Sequence, residues 1–245
     1  MNAKMHIIGF GCSLLVAASL SFLLRAPAPV AHAEAHDGDP LKKLVEGNQR
    51  FVAGHAQRPN QDAARRAETA EKQHPFAAIV CCADSRVAPE LVFDQGIGDL
   101  FVVRVAGNVL DDHLLGSLEY AVEHLHVGLI VVVGHERCGA VAATLAGGHA
   151  PGHIESLVAA IGPAVAGTAG EASEKLDAAV RANVAHVVEQ LIATEPILSE
   201  HIAHHKLRVV GARYDLDTGA VELLPARAPA KSMSTRAPSP KPAAH

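Results

Sequence analysis

A surplus of basic residues is missing from this sequence. Its 21 lysines and arginines stand against 26 aspartates and glutamates, a net charge of −5 with histidine neutral. Proteins that bind nucleic acid usually carry a basic footprint, so its absence argues against that role. Cysteine is scarce as well. Of four, Cys12 lies in an apolar run near the start, which leaves Cys81, Cys82 and Cys138 for the rest of the chain. An odd number does not make a disulfide framework, and adjacent cysteines lack the Cys-x-x-Cys spacing of a thiol redox motif. Tryptophan is absent altogether and no internal repeat is visible. The central region of about 190 residues is therefore expected to fold as one domain around one core.

The two ends differ from the middle. Residues 1–33 combine a basic start at Lys4, an apolar stretch over 7–24 and the triplet Ala31-His32-Ala33. That is the layout of a secretory signal peptide cleaved after Ala33. The rival reading is an uncleaved anchor, because the apolar stretch borders on membrane-spanning length. The triplet's position favours cleavage, hence a periplasmic protein with no stable membrane association afterwards. Removing 1–33 takes away Lys4, Arg25 and no acid, leaving 19 basic and 26 acidic residues, a net of −7. Residues 226–245 are rich in Pro, Ala and Ser, contain Lys and Arg but no acid, and are expected to be a disordered tail.

Two short stretches between the ends carry chemistry: Cys82-Ala83-Asp84-Ser85-Arg86 and His135-Glu136-Arg137-Cys138. Together they offer two thiolates and an imidazole, the ligand set of a catalytic zinc site with an open fourth position. Each follows a branched apolar run, residues 77–80 and 129–134, of the kind that forms buried parallel strands. Both ligand groups should then sit at strand C-terminal ends, where open α/β sheets place their sites. Strand alternation turns Cys81 and Cys82 to opposite faces, so Cys82 is the expected ligand and Cys81 a small buried hydrophobe. Asp84 and Arg86, two residues apart, can pair through a bidentate fork.

The remaining pattern alternates. Helices are expected over 41–53 (behind the cap pair Asp39-Pro40), 61–73, 89–93, 111–126, 140–145, 154–165 and 171–194. Strands are expected over 76–82, 100–105, 127–134, 207–214 and 220–224, the last two joined by the turn signal Asp217-Thr218-Gly219. The fold class is α/β: a central, mostly parallel sheet with an antiparallel edge strand, flanked by helices.

Several spaced motifs occur in a fixed order: Cys82-Ala83-Asp84-Ser85-Arg86-Val87, Phe93-Asp94-Gln95-Gly96, the run from Gly98 to Arg104, Ala106-Gly107-Asn108, Leu118-Glu119-Tyr120-Ala121 and Gly134-His135-x-x-Cys138-Gly139-Ala140. Over roughly 40–225 the chain resembles a β-class carbonic anhydrase, and the domain is taken as 34–225. The resemblance implies one Zn2+ per chain on Cys82, His135 and Cys138, interconversion of carbon dioxide and bicarbonate, and a homodimer or tetramer. It implies that Gln73 binds a substrate oxygen through its amide, that Phe101 and Tyr120 line the pocket across the dimer, and that Gly139 brings a backbone N–H to the site. Two departures bear on pocket shape: Val105 and Ala106 stand where relatives often have Asn and a larger apolar residue. The tryptophan that lines a regulatory bicarbonate site in some members is Ile79 here, so no such site is expected.

Zinc on two thiolates and a neutral imidazole has a net charge near zero and acidifies water less than zinc on three histidines. The expected help comes from Asp84, kept ionised by Arg86, which accepts a hydrogen bond as the nucleophile, a zinc-bound hydroxide, forms. Released from Arg86, Asp84 can instead close the site as a fourth ligand in an inactive state; at neutral pH the pair with Arg86 is expected. Two alternatives stay open at this point. One is a carbonyl sulfide or carbon disulfide hydrolase on the same fold, the other a catalytically dead module that binds bicarbonate or zinc.

Overall fold

The computed structural model describes residues 38–225, so the expected signal segment and tail lie outside the described residues. The middle of the sheet is built from β1 (Ala77–Cys81) and β3 (Leu129–His135), buried at every residue. Burial on both faces is why each reads as a solid apolar run with no polar alternation. β1 pairs in parallel with β3 on one side and with β2 (Leu100–Arg104) on the other. β3 pairs in parallel with β4 (Arg208–Tyr214), and β5 (Val221–Leu223) closes the edge antiparallel to β4. The order β2-β1-β3-β4-β5 is the expected mostly parallel sheet with one antiparallel edge strand. The final hairpin turns on Asp215, whose carboxylate accepts the N–H groups of Asp217 and Thr218 at 3.0 and 2.8 Å.

Helices cover both faces. α1 (Pro40–Val52) starts on Asp39, which accepts the Leu41 N–H at 3.1 Å, with Pro40 in the first turn. α2 (Ala63–Thr69) follows. With α3 (Pro89–Val92), α1 lays Leu44, Val92 and Phe93 over Ile79, Cys81, Val131 and Val133. The other face carries α4 (Asp112–Leu125), capped by Asp111 onto the Leu114 N–H at 2.8 Å. Beside it lie α7 (Ala172–Ala193) and α8 (Ile197–Ala203), so that Leu118, Val184, Leu191 and Leu198 cover Ala78, Val80, Ile130 and Val132. A third cluster joins Cys82 and Cys138 to Val141 of α5 (Gly139–Ala146), Ile161 of α6 (Ile154–Val165) and Val180 of α7.

α7 sits unusually close to the sheet. A Cβ added at Gly134 would stand 2.5 Å from Val184 Cγ2 and 3.0 Å from Val180 Cγ1, and one at Gly211 would stand 2.9 Å from Val184 Cγ1. Glycines on neighbouring strands thus form the seat into which Val184 nests.

Four details depart from the sequence reading. α2 covers seven residues of the expected 61–73, and none of its residues is buried, so no apolar face extends it to Gln73. α8 lies outside the expected helix ranges, although His201 sits at helical spacing from His204 and His205. β3 runs one residue further than expected and takes His135 into the strand. A 3-10 turn, Ala106–Asn108, follows β2, with Gly107 at φ 72°. Asp39 pairs at 2.6 Å with Arg208, which opens β4, and β5 runs back towards that same end, Leu224 bonding to the Gly211 carbonyl.

Candidate metal centre

The opposite end of the sheet, at the C-terminal ends of its parallel strands, gathers the chemistry. β1 delivers Cys82 one residue past its last ladder position. Cys81 packs into the core on one face and Cys82 into the cluster on the other, as alternation requires. β3 delivers His135 as its final residue. A turn through Arg137, at φ 51°, then brings Cys138 to the N-terminus of α5, where the helix dipole favours a thiolate. The ligand atoms of Cys82, His135 and Cys138 all lie within 4.8 Å of one another, and the three residues are at most 4% exposed. Tetrahedral zinc, with Zn–S of about 2.3 Å and Zn–N of about 2.0 Å, holds its ligand atoms roughly 3.5–3.8 Å apart.

The imidazole is set for such a role. His135 Nδ1 lies 2.8 Å from the Glu136 carbonyl; since a carbonyl only accepts, Nδ1 carries the proton and Nε2 is left with its lone pair. Nε2 is buried and has no hydrogen-bond partner, a costly state unless a cation completes it. Cys82 Sγ accepts two backbone N–H groups, from Asp84 at 3.4 Å and Gly107 at 3.3 Å. The Cys138 thiol, hydrogen-bonded to Cys82, lowers the latter's pKa to about 4, and that same bond, with burial, pushes Cys138 up. Cys81 is different in kind, raised to about 12 by burial.

Asp84 and Arg86 form the expected fork. Asp84 Oδ1 accepts from Arg86 Nε and from the Arg86 backbone N–H, both at 2.9 Å, while Oδ2 accepts from Arg86 Nη2 at 2.7 Å. The side-chain bond to Arg86 holds the Asp84 carboxyl well below the usual carboxylate range. Oδ2 also faces the ligand cluster, 3.8 Å from His135 Nε2.

The expected pocket residues are not gathered here within one chain. Gln73 is exposed on the loop leading into β1, at the end of the strand away from Cys82. Phe101 and Tyr120 pair with each other, ring centroids 6.5 Å apart, on β2 and α4, and Tyr120 is 47% exposed. Both aromatics stand outside the cluster that contains the cysteines. Gly139 opens α5 beside Cys138, with open space where a Cβ would stand.

Three supports went unread in the sequence. Arg104 donates to the carbonyls of Cys82 (3.1 Å) and Asp84 (2.7 Å), clamping the loop that carries ligand and acid. Its signals were its place at the end of the motif run from Gly98 and at the end of β2, in register with Cys81. Glu136 is held by Arg213 and by the Leu216 N–H at 3.1 Å. Asn183, on α7, reaches the Gly107 carbonyl at 2.8 Å.

Residues 77–221 match the family profile described as carbonic anhydrase. The chain is 47% identical over 186 residues to carbonic anhydrase 2 of Mycobacterium tuberculosis, covering 74% of this chain and 90% of that protein. Among solved structures, a Coccomyxa β-carbonic anhydrase in complex with acetazolamide superposes with a TM-score of 0.62 at 30% identity, over 78% of this chain and 87% of that one. A tetrameric β-carbonic anhydrase of Sordaria macrospora shares the fold with a TM-score of 0.63 at 24% identity, over 75% of this chain and 96% of that one.

Proposed function

Because this chain belongs to the β-class carbonic anhydrases, whose general activity is the hydration of carbon dioxide, we propose that it performs that reaction at the C-terminal end of its sheet, with zinc held by Cys82, His135 and Cys138. The observation that carries the reading is the buried, unpartnered Nε2 of His135 facing two sulfurs. Zinc supplies the Lewis acidity that makes water nucleophilic near neutral pH. The residues of the chain do the rest. Two thiolates offset most of the metal's charge, so a positioned base has more to contribute here than on a three-histidine site.

Asp84 is that base. Two Arg86 donors occupy its Oδ1 and only one its Oδ2, so Oδ2, turned to the ligands, keeps a lone pair for the reacting water. Arg86 fixes the direction of that lone pair and keeps the carboxylate ionised. A closed state with Asp84 as a fourth ligand would compete with the fork to Arg86.

Substrate contacts by Gln73, Phe101 and Tyr120 require a second copy of the chain to deliver them, which makes the working unit a homodimer or tetramer. The chain is further read as periplasmic, exported by residues 1–33. The sulfide-hydrolase and dead-module alternatives draw no support from the relatives.

Stopped-flow carbon dioxide hydration, with zinc content measured on the same samples, tests the core of this reading. Wild type is expected to hydrate carbon dioxide with about one zinc per chain. Asp84→Ala should keep the zinc and lose roughly 10²–10⁴ in rate at pH 7 and 8.5, the range for a positioned proton acceptor. Zinc-loaded wild type without hydration at either pH would sink it.

A further inference from the structure

Asn183 lies midway along α7, 1% exposed and 76 positions from the residue it touches. Its Nδ2 donates to the Gly107 carbonyl at 2.8 Å. The N–H of that same glycine donates to Cys82 Sγ at 3.3 Å. One side chain on a core helix is thus a single residue removed from a ligand sulfur.

The intervening glycine has little freedom to absorb an error. At φ 72° it adopts a backbone form that strains other residues, and a Cβ there would stand 2.6 Å from Ile161 Cδ1 and 3.1 Å from Ala140 Cβ. The turn is wedged between α5 and α6 and tied to α7 by one hydrogen bond. The depth of α7 is set in turn by the glycine seat at Gly134 and Gly211. A carbonyl can be met only by an NH2 group, so chemistry also fixes which way the Asn183 amide points.

We propose that Asn183 is a positioning residue of the metal centre: by anchoring the Gly107 carbonyl it aims the Gly107 N–H at the Cys82 sulfur. The proposal rests on the reading that Cys82, His135 and Cys138 hold zinc. An N–H bond to a ligand thiolate orients the sulfur before the metal arrives and spreads its charge afterwards. Outer partners of metal ligands are worth roughly 10–100-fold in metal affinity.

The test uses the full chain, titrated with Zn2+ against a chromophoric chelator and with Co2+ read through the sulfur-to-cobalt charge-transfer band. Asn183→Ala is expected to weaken Zn2+ binding roughly 10–100-fold and to move the cobalt band to longer wavelength, because a thiolate stripped of an N–H donor gives up electron density more readily. Asn183→Ser, whose hydroxyl stops short of the carbonyl and leaves a smaller void, reads the same quantities if the alanine variant does not fold. Leu191→Val, in the sheet-facing cluster of the same helix, should lower the melting temperature while leaving affinity and band unchanged. Asn183 variants with wild-type affinity and band overturn the proposal, however much stability they lose. A wild type that binds neither metal removes the zinc reading and the proposal together.

Discussion

Replacing Gly134 by alanine adds one methyl group where the sheet and α7 leave no room. The new Cβ would stand 2.5 Å from Val184 Cγ2 and 3.0 Å from Val180 Cγ1, whereas carbon atoms rest at about 3.5–4.0 Å. Both neighbours are β-branched residues in mid-helix, each with one strongly preferred rotamer, so they cannot swing aside. The helix itself must retreat by about 1 Å. Overpacking of this kind costs about 1–3 kcal/mol; at about 2 kcal/mol the melting temperature falls by roughly 4–8 °C for a domain of this size. The assay is urea unfolding in excess chelator, so that metal binding drops out and the midpoint shifts at constant slope. Val184→Ala supplies the second arm of a double-mutant cycle. It destabilises alone by opening a void, but with Gly134→Ala the new methyl occupies part of that void. The pair should cost less than the sum by about 1 kcal/mol or more, the coupling expected for residues in contact. A Gly134→Ala protein within about 0.5 kcal/mol of wild type, or strictly additive costs, would refute the seat.

Cys81 gives a pH prediction. Its thiol is raised from 9.0 to about 12 by burial, so the unfolded chain ionises it first; stability linked to Cys81 is complete below about pH 9 and lost between about 9 and 12. Cys81→Ala should flatten that alkaline decline, seen as melting temperature against pH, and an unchanged decline would assign it to other groups. Arg86→Lys keeps the charge but cannot make the two-pronged grip on Asp84. It should retain zinc and lose at least roughly tenfold in hydration rate, and a rate equal to wild type would mean that the fork does not aim the acid.

Much of the fold could be read from the sequence because it rests on burial. β1 and β3 are covered on both faces and therefore spell out unbroken apolar runs, and α1 and α4 announce themselves through Asp39 and Asp111 at their caps. α8 showed in the sequence only through the helical spacing of His201, His204 and His205, with one fully buried residue, Leu198, to mark an apolar face. The overlong second helix failed for the opposite reason: a polar segment gives no apolar face by which to judge its end. At the site, the gathering of Cys82, His135 and Cys138 into one cluster able to hold a metal was legible because each follows an apolar run that ends a strand. Its supports were not. Arg104 and Asn183 act through backbone carbonyls 20 to 76 positions away, and neither residue type at its own position hints at such a partner. Gln73, Phe101 and Tyr120 illustrate the converse, since motif likeness named them while a single chain leaves them apart from the cysteines.

Because Asp39 pairs with Arg208 where β4 begins, at the end of the sheet away from Cys82, His135 and Cys138, the first turn of α1 can loosen without disturbing those three residues.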